Sequence, residues 1–190
     1  MRKLLSYRRE HKAFGQNTTF KGESMKIELR TPSRSDRILI RRMMELYAYD
    51  FSEFEDSDLD EHGQFGYGNL DYFWFEPTHA AFLVTVDEKL AGFVLVDNET
   101  YIEGNERSIT EFFVMRKYRR RGVGKRVAVE VFNRLPAKWE VRVIENNTPA
   151  KAFWKKVIGG YTKGKYQETL LDTDDWKGPA FSFDNREMRA

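Results

Sequence analysis

Residues 109–126 read ITEFFVMRKYRRRGVGKR, and they combine the side chains and spacing most suited to chemistry. A run of β-branched and aromatic residues ends at Val114, a basic stretch follows, and a helical pattern opens at Gly122. Gly122 and Gly124 let a ligand approach the backbone closely. The N–H groups at a helix start, with the helix dipole behind them, favour an anion. Arg119, Arg120, Arg121 and Lys125 surround that start with positive charge. Together these features predict a cradle for a pyrophosphate. The bland alternative is a basic helix start that is merely solvated.

Other ligand motifs fit less well. A dinucleotide fingerprint needs a third glycine where Val127 stands. The stretch 159–165, GGYTKGK, resembles a phosphate loop, but Tyr166 occupies the place of the magnesium-binding Ser or Thr. Asp56, Asp58 and Asp60 open like a calcium loop, yet Glu61 stands where glycine is needed and Tyr67 where the closing Glu belongs. His11, His62 and His79 have no metal-ligand spacing, so no metal site is expected. The chain has no cysteine, which excludes disulfides, zinc thiolates, iron–sulfur clusters and a thiol nucleophile.

The elements that must position the cradle follow from periodicity. Residues 26–31 alternate as a strand, and 36–49 place Ile38, Ile40, Met43, Met44 and Tyr47 at helical spacing, with Ser33 or Ser35 as cap. Residues 69–75 suggest a short helix. Strands are predicted over 81–87, 90–96 and 107–114. Residues 122–135 repeat Val123, Val127, Val131 and Leu135 every four positions, and Pro136 ends that helix. A strand follows over 138–144. Thr148-Pro149 then opens a helix expected to stop at Gly159-Gly160. Two strands, 165–171 and 180–183, finish the chain. The order β-α-α-β-β-β-α-β-α-β-β predicts an α/β fold: one mixed, mostly antiparallel sheet with helices on both faces.

Composition narrows the class further. The 190 residues are 41% hydrophobic and 33% charged, enough for one domain with a core and unlike a disordered chain. No apolar run approaches the roughly 20 residues of a membrane helix, so no membrane partner is expected. Residues 1–24 hold six basic against two acidic residues and lack periodicity, which predicts a flexible basic leader ahead of a single domain over 25–190. Without an export signal or cysteine, a cytoplasmic location is expected.

Arg119-x-x-Gly122-x-Gly124, after a strand ending in Phe-Phe-Val, is similar to the acetyl-CoA motif of the GNAT acetyltransferase superfamily. The downstream segment Asn147-Thr-Pro-Ala150-Lys-Ala-Phe153-Trp154-Lys155 resembles that family's second cofactor segment. The likeness spans roughly residues 26–184, and FFVM-x-x-Tyr-Arg looks similar to the spermidine/spermine acetyltransferases. The resemblance implies a GNAT-like fold and acetyl-CoA as cosubstrate. Phe112, Phe113 and Val114 would lie along the pantetheine arm, with backbone groups of Phe112 and Val114 pairing to it like an added strand. Backbone N–H groups of Arg119, Arg120, Arg121, Gly122, Val123, Gly124 and Lys125 would hold the pyrophosphate. Asn147 and Ala150 belong to the second segment, where Asn147 would help position the cofactor and Phe153 would line its thiol end. A homodimer is common in the family.

The implied reaction is attack of a primary amine on the acetyl thioester within a ternary complex. An alkyl ammonium of pKa about 10.4 is only about 0.04% neutral at pH 7, so the site must remove a proton. Glu111 is the candidate base. Strand alternation turns it away from Phe112 and Val114, although a bulge would change that parity, and a carboxylate there could instead bind substrate or a neighbouring strand. Trp154 stands where many family members carry a tyrosine that protonates the leaving thiolate, and an indole N–H is no acid at neutral pH. Tyr161 or water could take the place of that acid, and packing is the plainer reading of Tyr161.

Seven of the twelve residues 50–61 are acidic. Such a stretch would attract a cationic acceptor such as a polyamine, an aminoglycoside or a basic peptide, or it is a solvated loop. Two rival readings remain. One is a non-catalytic acyl-CoA sensor, suggested by Trp154. The other is a basic nucleic-acid module, which the acidic balance of residues 25–190 (26 basic, 28 acidic) argues against, so no nucleic-acid partner is expected.

Overall fold

Alternation, valine stripes and capping signals produce strands and helices in the order read from the sequence. In the computed structural model, which describes residues 25–68 and 70–188, they are β1 (Ile27–Arg30), α1 (Arg37–Phe51), α2 (Tyr72–Phe75), β2 (Ala80–Val86), β3 (Lys89–Asp97), β4 (Arg107–Val114), α3 (Val123–Arg134), β5 (Lys138–Arg142), α4 (Thr148–Tyr161), β6 (Gln167–Asp172) and β7 (Lys177–Asp184). The basic leader expected over 1–24 lies outside the described residues. No helix among the described residues is long and apolar enough to cross a membrane.

The strands form one sheet in the order β1-β2-β3-β4-β5-β7-β6. Every neighbouring pair is antiparallel except β4 and β5. Those two run parallel because α3 carries the chain back across one face before β5 begins. Their pairing is brief: Arg107 faces Trp139, Ser108 faces Glu140, and the strands then part.

Each face of the sheet has its own core. On one face the valine stripe of α3 (Val123, Val127, Val131) packs with Phe132, Trp139, Trp154 and Phe181. Each buried side chain of this size contributes roughly 1.5–3 kcal/mol. On the other face α1 and α2 bring Ile40, Met43, Met44 and Phe73 onto Leu83, Phe93, Leu95 and Phe113.

Two local expectations change. Ser33 does not cap α1 directly. Its amide and hydroxyl donate to the Asp36 carboxylate at 2.8 and 2.7 Å, closing a 3-10 turn that leads into the helix. Arg30 adds two further bonds, and these partners hold the Asp36 carboxyl well below the usual range. The helix begun at Thr148 does not stop at Gly159-Gly160 but runs to Tyr161. Val157 and Ile158 are buried and Tyr161 stacks near Phe132 and Phe183, so packing overrides a glycine penalty of about 1 kcal/mol each. The left-handed turn comes later, at Lys163 (φ +53°) and Gly164 (φ +83°).

Gly92 sets how closely β3 approaches β4. A Cβ there would lie 2.0 Å from the Phe113 carbonyl oxygen. Gly92→Ala must therefore push the strands apart, with an expected loss of about 1–3 kcal/mol. For a domain of this size that lowers Tm by roughly 3–10 °C. Gly68→Ala, with no atom near the new methyl, should stay within about 2 °C of the parent. Thermal melts of both variants check the contrast, and an unchanged Tm for Gly92→Ala would contradict it.

Candidate active site

The parting of β4 from β5 exposes one edge of β4. On the β3 side, Glu111 faces Leu95, Phe113 faces Phe93, and the Met115 amide donates to the Ala91 carbonyl at 2.8 Å. Antiparallel alternation then turns the backbone groups of Phe112 and Val114 the other way, into the gap left by β5. An edge of this kind accepts an extended chain as an added strand. Phe113 differs from its neighbours: its backbone serves β3 and its ring packs under α1. Of the three residues expected along the pantetheine arm, only Phe112 and Val114 address the gap.

A bulge falls just before Glu111 and leaves its alternation with Phe112 and Val114 intact, moving Ile109 to the other face. Leu95 pairs with Glu111 and Val96 with Ile109, so Thr110 is an extra residue in β4. Ile109, Phe112 and Val114 consequently share the α3/α4 face, while Glu111 joins Phe113 on the α1 face.

The segment after β4, where the sequence predicts a cradle, has a defined shape. Residues Arg116–Tyr118 form a 3-10 turn anchored by the buried Tyr118 ring. Arg120 (φ +59°) and Gly122 (φ +81°) are both left-handed, a conformation that is strained for arginine and easy for glycine. Gly122 caps α3 without a side-chain bond, and the first intrahelical bond closed on it comes from Arg126. The amides of Val123, Gly124 and Lys125 thus head the helix without an acceptor inside it. Arg120, Arg121, Lys125 and Arg126 are exposed around them. Gly124 serves a different need: a Cβ there would press on the Phe153 ring at 3.2 Å.

Arg119 stands apart from this group. Its amide donates to the Arg116 carbonyl, its Nε donates to the Val114 carbonyl at 2.7 Å, and its guanidinium pairs with Asp50 of α1. Both its backbone donor and its charge are engaged in supporting the loop, not in lining the cradle as the sequence suggested.

The second segment meets the first at the foot of the gap. The Phe112 ring lies 5.7 Å from Phe153 and 4.9 Å from Trp154, and Phe153 lies 5.0 Å from Trp154. Trp154 is buried in this aromatic stack together with Phe132. Asn147 caps α4 by accepting from the Ala150 amide at 3.0 Å, which leaves its Nδ2 free of that capping bond. Tyr161 donates to Asn133 and stacks on Phe132, which makes it a packing residue.

Glu111 sits among tyrosines. The Tyr67 hydroxyl donates to it at 2.6 Å, and Tyr47 of α1 also bonds it. Burial pushes its carboxyl up to about 7 against these stabilising hydroxyls, and the negative charges of Glu55 and Asp97 add to the rise. The same burial raises Tyr47 and Tyr67 and pushes Tyr72 up to about 12, so all three remain neutral donors at working pH. Sequence reading missed Tyr67 and gave Tyr47 only a packing role. Tyr67 lies 44 positions from Glu111 inside a glycine-rich loop, and no local pattern links them.

A cleft of about 520 Å³ is lined by Phe54, Glu55, Ile144, Glu145, Asn146, Asp175, Trp176 and Lys177, and its Glu55 is the one whose charge acts on Glu111. Three carboxylates face one ammonium there. The acidic run 50–61 is not a uniform wall, however. Asp50 turns to the arginines, Glu55 to the cleft, and Asp60 accepts from the amides of His62 and Gln64 in its own loop.

Comparison with known proteins bears on the fold and the family. In fold, the chain is similar to an acetyltransferase from Thermus thermophilus, with 16% identity, 84% of this chain and 97% of that one covered, and TM-score 0.57. It is also similar to a GNAT-family acetyltransferase from Staphylococcus aureus (14% identity, 84% and 99% covered, TM-score 0.56). A third similar structure is a chimera of spermidine N-acetyltransferase SpeG from Vibrio cholerae and hSSAT (14% identity, 85% and 97% covered, TM-score 0.52). No curated protein matches the chain by sequence. The family model described as Acetyltransferase (GNAT) family matches residues 40–159, more than half of the chain, and the protein belongs to that family.

Proposed function

We propose that the protein is an acetyl-CoA-dependent N-acetyltransferase acting on the primary amine of a cationic small molecule or peptide. The observation that carries this reading is Glu111, a carboxylate poised near neutrality on β4, the strand whose inner edge is opened where β5 parts from it. The uncapped start of α3, with left-handed Arg120 and Gly122, suits a pyrophosphate. The amides of Val123, Gly124 and Lys125 would hold it, with Arg120, Arg121 and Lys125 supplying charge. Backbone groups of Phe112 and the Val114 amide would pair with the pantetheine arm, the Val114 carbonyl being held by Arg119, beside Phe153 and the Asn147–Ala150 turn. Acetyl-CoA, when bound, supplies an activated acyl carbonyl with a thiolate leaving group.

The acceptor arrives as an ammonium. Glu55, Glu145 and Asp175 in the cleft favour a cation and support an acceptor with positive charge. Glu111 in its ionised form takes the proton from the ammonium nitrogen, directly or through a water, and releases the lone pair for attack on the carbonyl carbon. The hydroxyls of Tyr47 and Tyr67 hold the carboxylate in place. As the C–S bond breaks, the nitrogen of the adduct gives up its second proton to solvent, and the thiolate leaves tolerably, since with a conjugate acid of pKa about 8.5 it is a far weaker base than an alkyl amine. Trp154, stacked among rings, has no proton to give, so the thiolate is discharged by solvent.

A thiol-reactive dye monitors the reaction directly, because the protein contributes no thiol of its own. Amine-dependent release from acetyl-CoA is expected for cationic amines in a panel of polyamines, aminoglycosides, amino acids and peptide N-termini. CoA binding with no amine-dependent release across the panel would favour a sensor instead.

The rate should rise with pH around a midpoint near 7, where Glu111 ionises. Glu111→Gln should lower kcat by about 100-fold or more and abolish that limb. A variant that keeps a third of the rate and the same profile would remove Glu111 from the mechanism. Stability gives an independent sign. Because the folded state raises this carboxyl, it binds the proton more tightly than the unfolded chain does. Stability is therefore lost as pH rises from the ordinary carboxylate range through about 7. Glu111→Gln should raise Tm at pH 8 and leave it unchanged at pH 5.

A further inference from the structure

Asp50 occupies a poor place for an aspartate. It lies in the last turn of α1, where the helix dipole disfavours negative charge. Its side chain is only 14% exposed. Two guanidinium groups compensate it. Arg116 bonds its Oδ1 at 2.7–2.8 Å, and Arg119 bonds its Oδ2. Arg119 uses the same fork to reach the Val114 carbonyl at 2.7 Å. The chain Asp50–Arg119–Val114 therefore ties the end of α1 to the end of β4, across the loop that leads into α3. Tyr47, which bonds Glu111, lies three residues earlier on the same face of α1.

We propose that Asp50 is a positioning residue for the acyl-donor site: by holding Arg119 on the Val114 carbonyl it fixes the loop that aims the first amides of α3. This rests on the reading of that helix start as the pyrophosphate cradle. One face of α1 then sets both half-sites, the base through Tyr47 and the donor loop through Asp50. The arginine of the family motif acts through the loop and not on the phosphates. An ordinary exposed ion pair contributes about 0–1 kcal/mol to stability and nothing to a ligand. The proposal differs by placing the effect in donor binding.

The test is calorimetric titration of CoA into the full chain and its variants, with steady-state kinetics on the best amine of the panel. Asp50→Asn should weaken CoA and raise KM for acetyl-CoA about tenfold, inside the 100-fold that an ångström of misplacement can cost. The acceptor KM and the pH midpoint of kcat should not move. Asp50→Glu should recover affinity to within threefold. Arg119→Lys, which keeps the charge but loses the two-pronged grip, should behave like Asp50→Asn. Arg116→Ala, which removes the other partner of Asp50, should bind CoA within twofold of the parent. If Asp50→Asn does not fold, Arg119→Lys against Arg116→Ala decides alone. Unchanged or tighter CoA binding in Asp50→Asn or Arg119→Lys overturns the proposal. So does an equal loss in Arg116→Ala, or a displaced pH midpoint, since a merely structural bond would move that. Failure of the parent chain to bind CoA at all would instead sink the cradle reading, and this proposal with it.

Discussion

The separation of β4 from β5 is the constraint on which the rest of the arrangement depends. In an otherwise antiparallel sheet these strands run parallel, and they hold together over two residue pairs only. Each is then drawn toward its other neighbour. Gly92 lets β3 press against the Phe113 carbonyl, closer than any side chain would allow. On the far side Gly178 of β7 approaches the Val143 carbonyl, where a Cβ would lie 2.2 Å away. The Val143 amide donates to the Pro179 carbonyl and the Glu145 amide to Lys177, so the end of β5 follows β7. Two glycines thus permit the close contacts that pull the strands apart. A β4 fully paired with β5 would have no edge to offer and no gap beside Glu111.

Two carboxylates on the same face of the sheet show how environment separates roles. Glu140 of β5 is completely buried, yet it accepts from the amides of Tyr101 and Ile102, from Asn105 Nδ2 and from the Arg142 guanidinium, all within 2.8–2.9 Å. Arg142 in turn stacks on Tyr101 and Trp176, at 4.4 and 5.3 Å. That carboxylate is neutralised and fully bonded, and it anchors the loop between β3 and β4. Among the described residues Glu111 bonds only hydroxyls and has carboxylates nearby, not a cation. A buried carboxylate satisfied in this partial way binds a proton near neutral pH, which suits a base and not a strut.

What could be read from the sequence was whatever is encoded locally. The four-residue stripe of α3, the Thr148-Pro149 start of α4 and the alternation of the strands each lie within one turn or one strand, and the element order followed from them. The glycine pair 122 and 124 was legible as a tight approach, although the two serve different needs: φ for Gly122, and room for the Phe153 ring at Gly124. What escaped is long-range. Tyr47 and Tyr67 reach Glu111 only because α1 and the loop after it fold over the sheet. Asp50 read as one of seven like charges until packing turned it toward Arg119. The Gly159-Gly160 stop failed for the same reason, because buried neighbours on either side continued the helix. Propensity speaks for a residue alone, whereas these outcomes were decided by partners tens of positions away.

Trp154 follows from the same packing logic. It lies in contact range of Phe112, Phe132 and Phe153, in a stack that closes the base of the gap. A phenol and an indole each bring one polar hydrogen to this depth, but only the phenol's dissociates readily. Indole fills the volume with one donor in place of a hydroxyl, strengthening the floor of the gap while removing a dissociable proton. On the proposed chemistry that exchange is tolerated only because the departing group is a thiolate. The harder proton to move is the one on the incoming ammonium, and the groups that crowd Glu111 are arranged around that transfer.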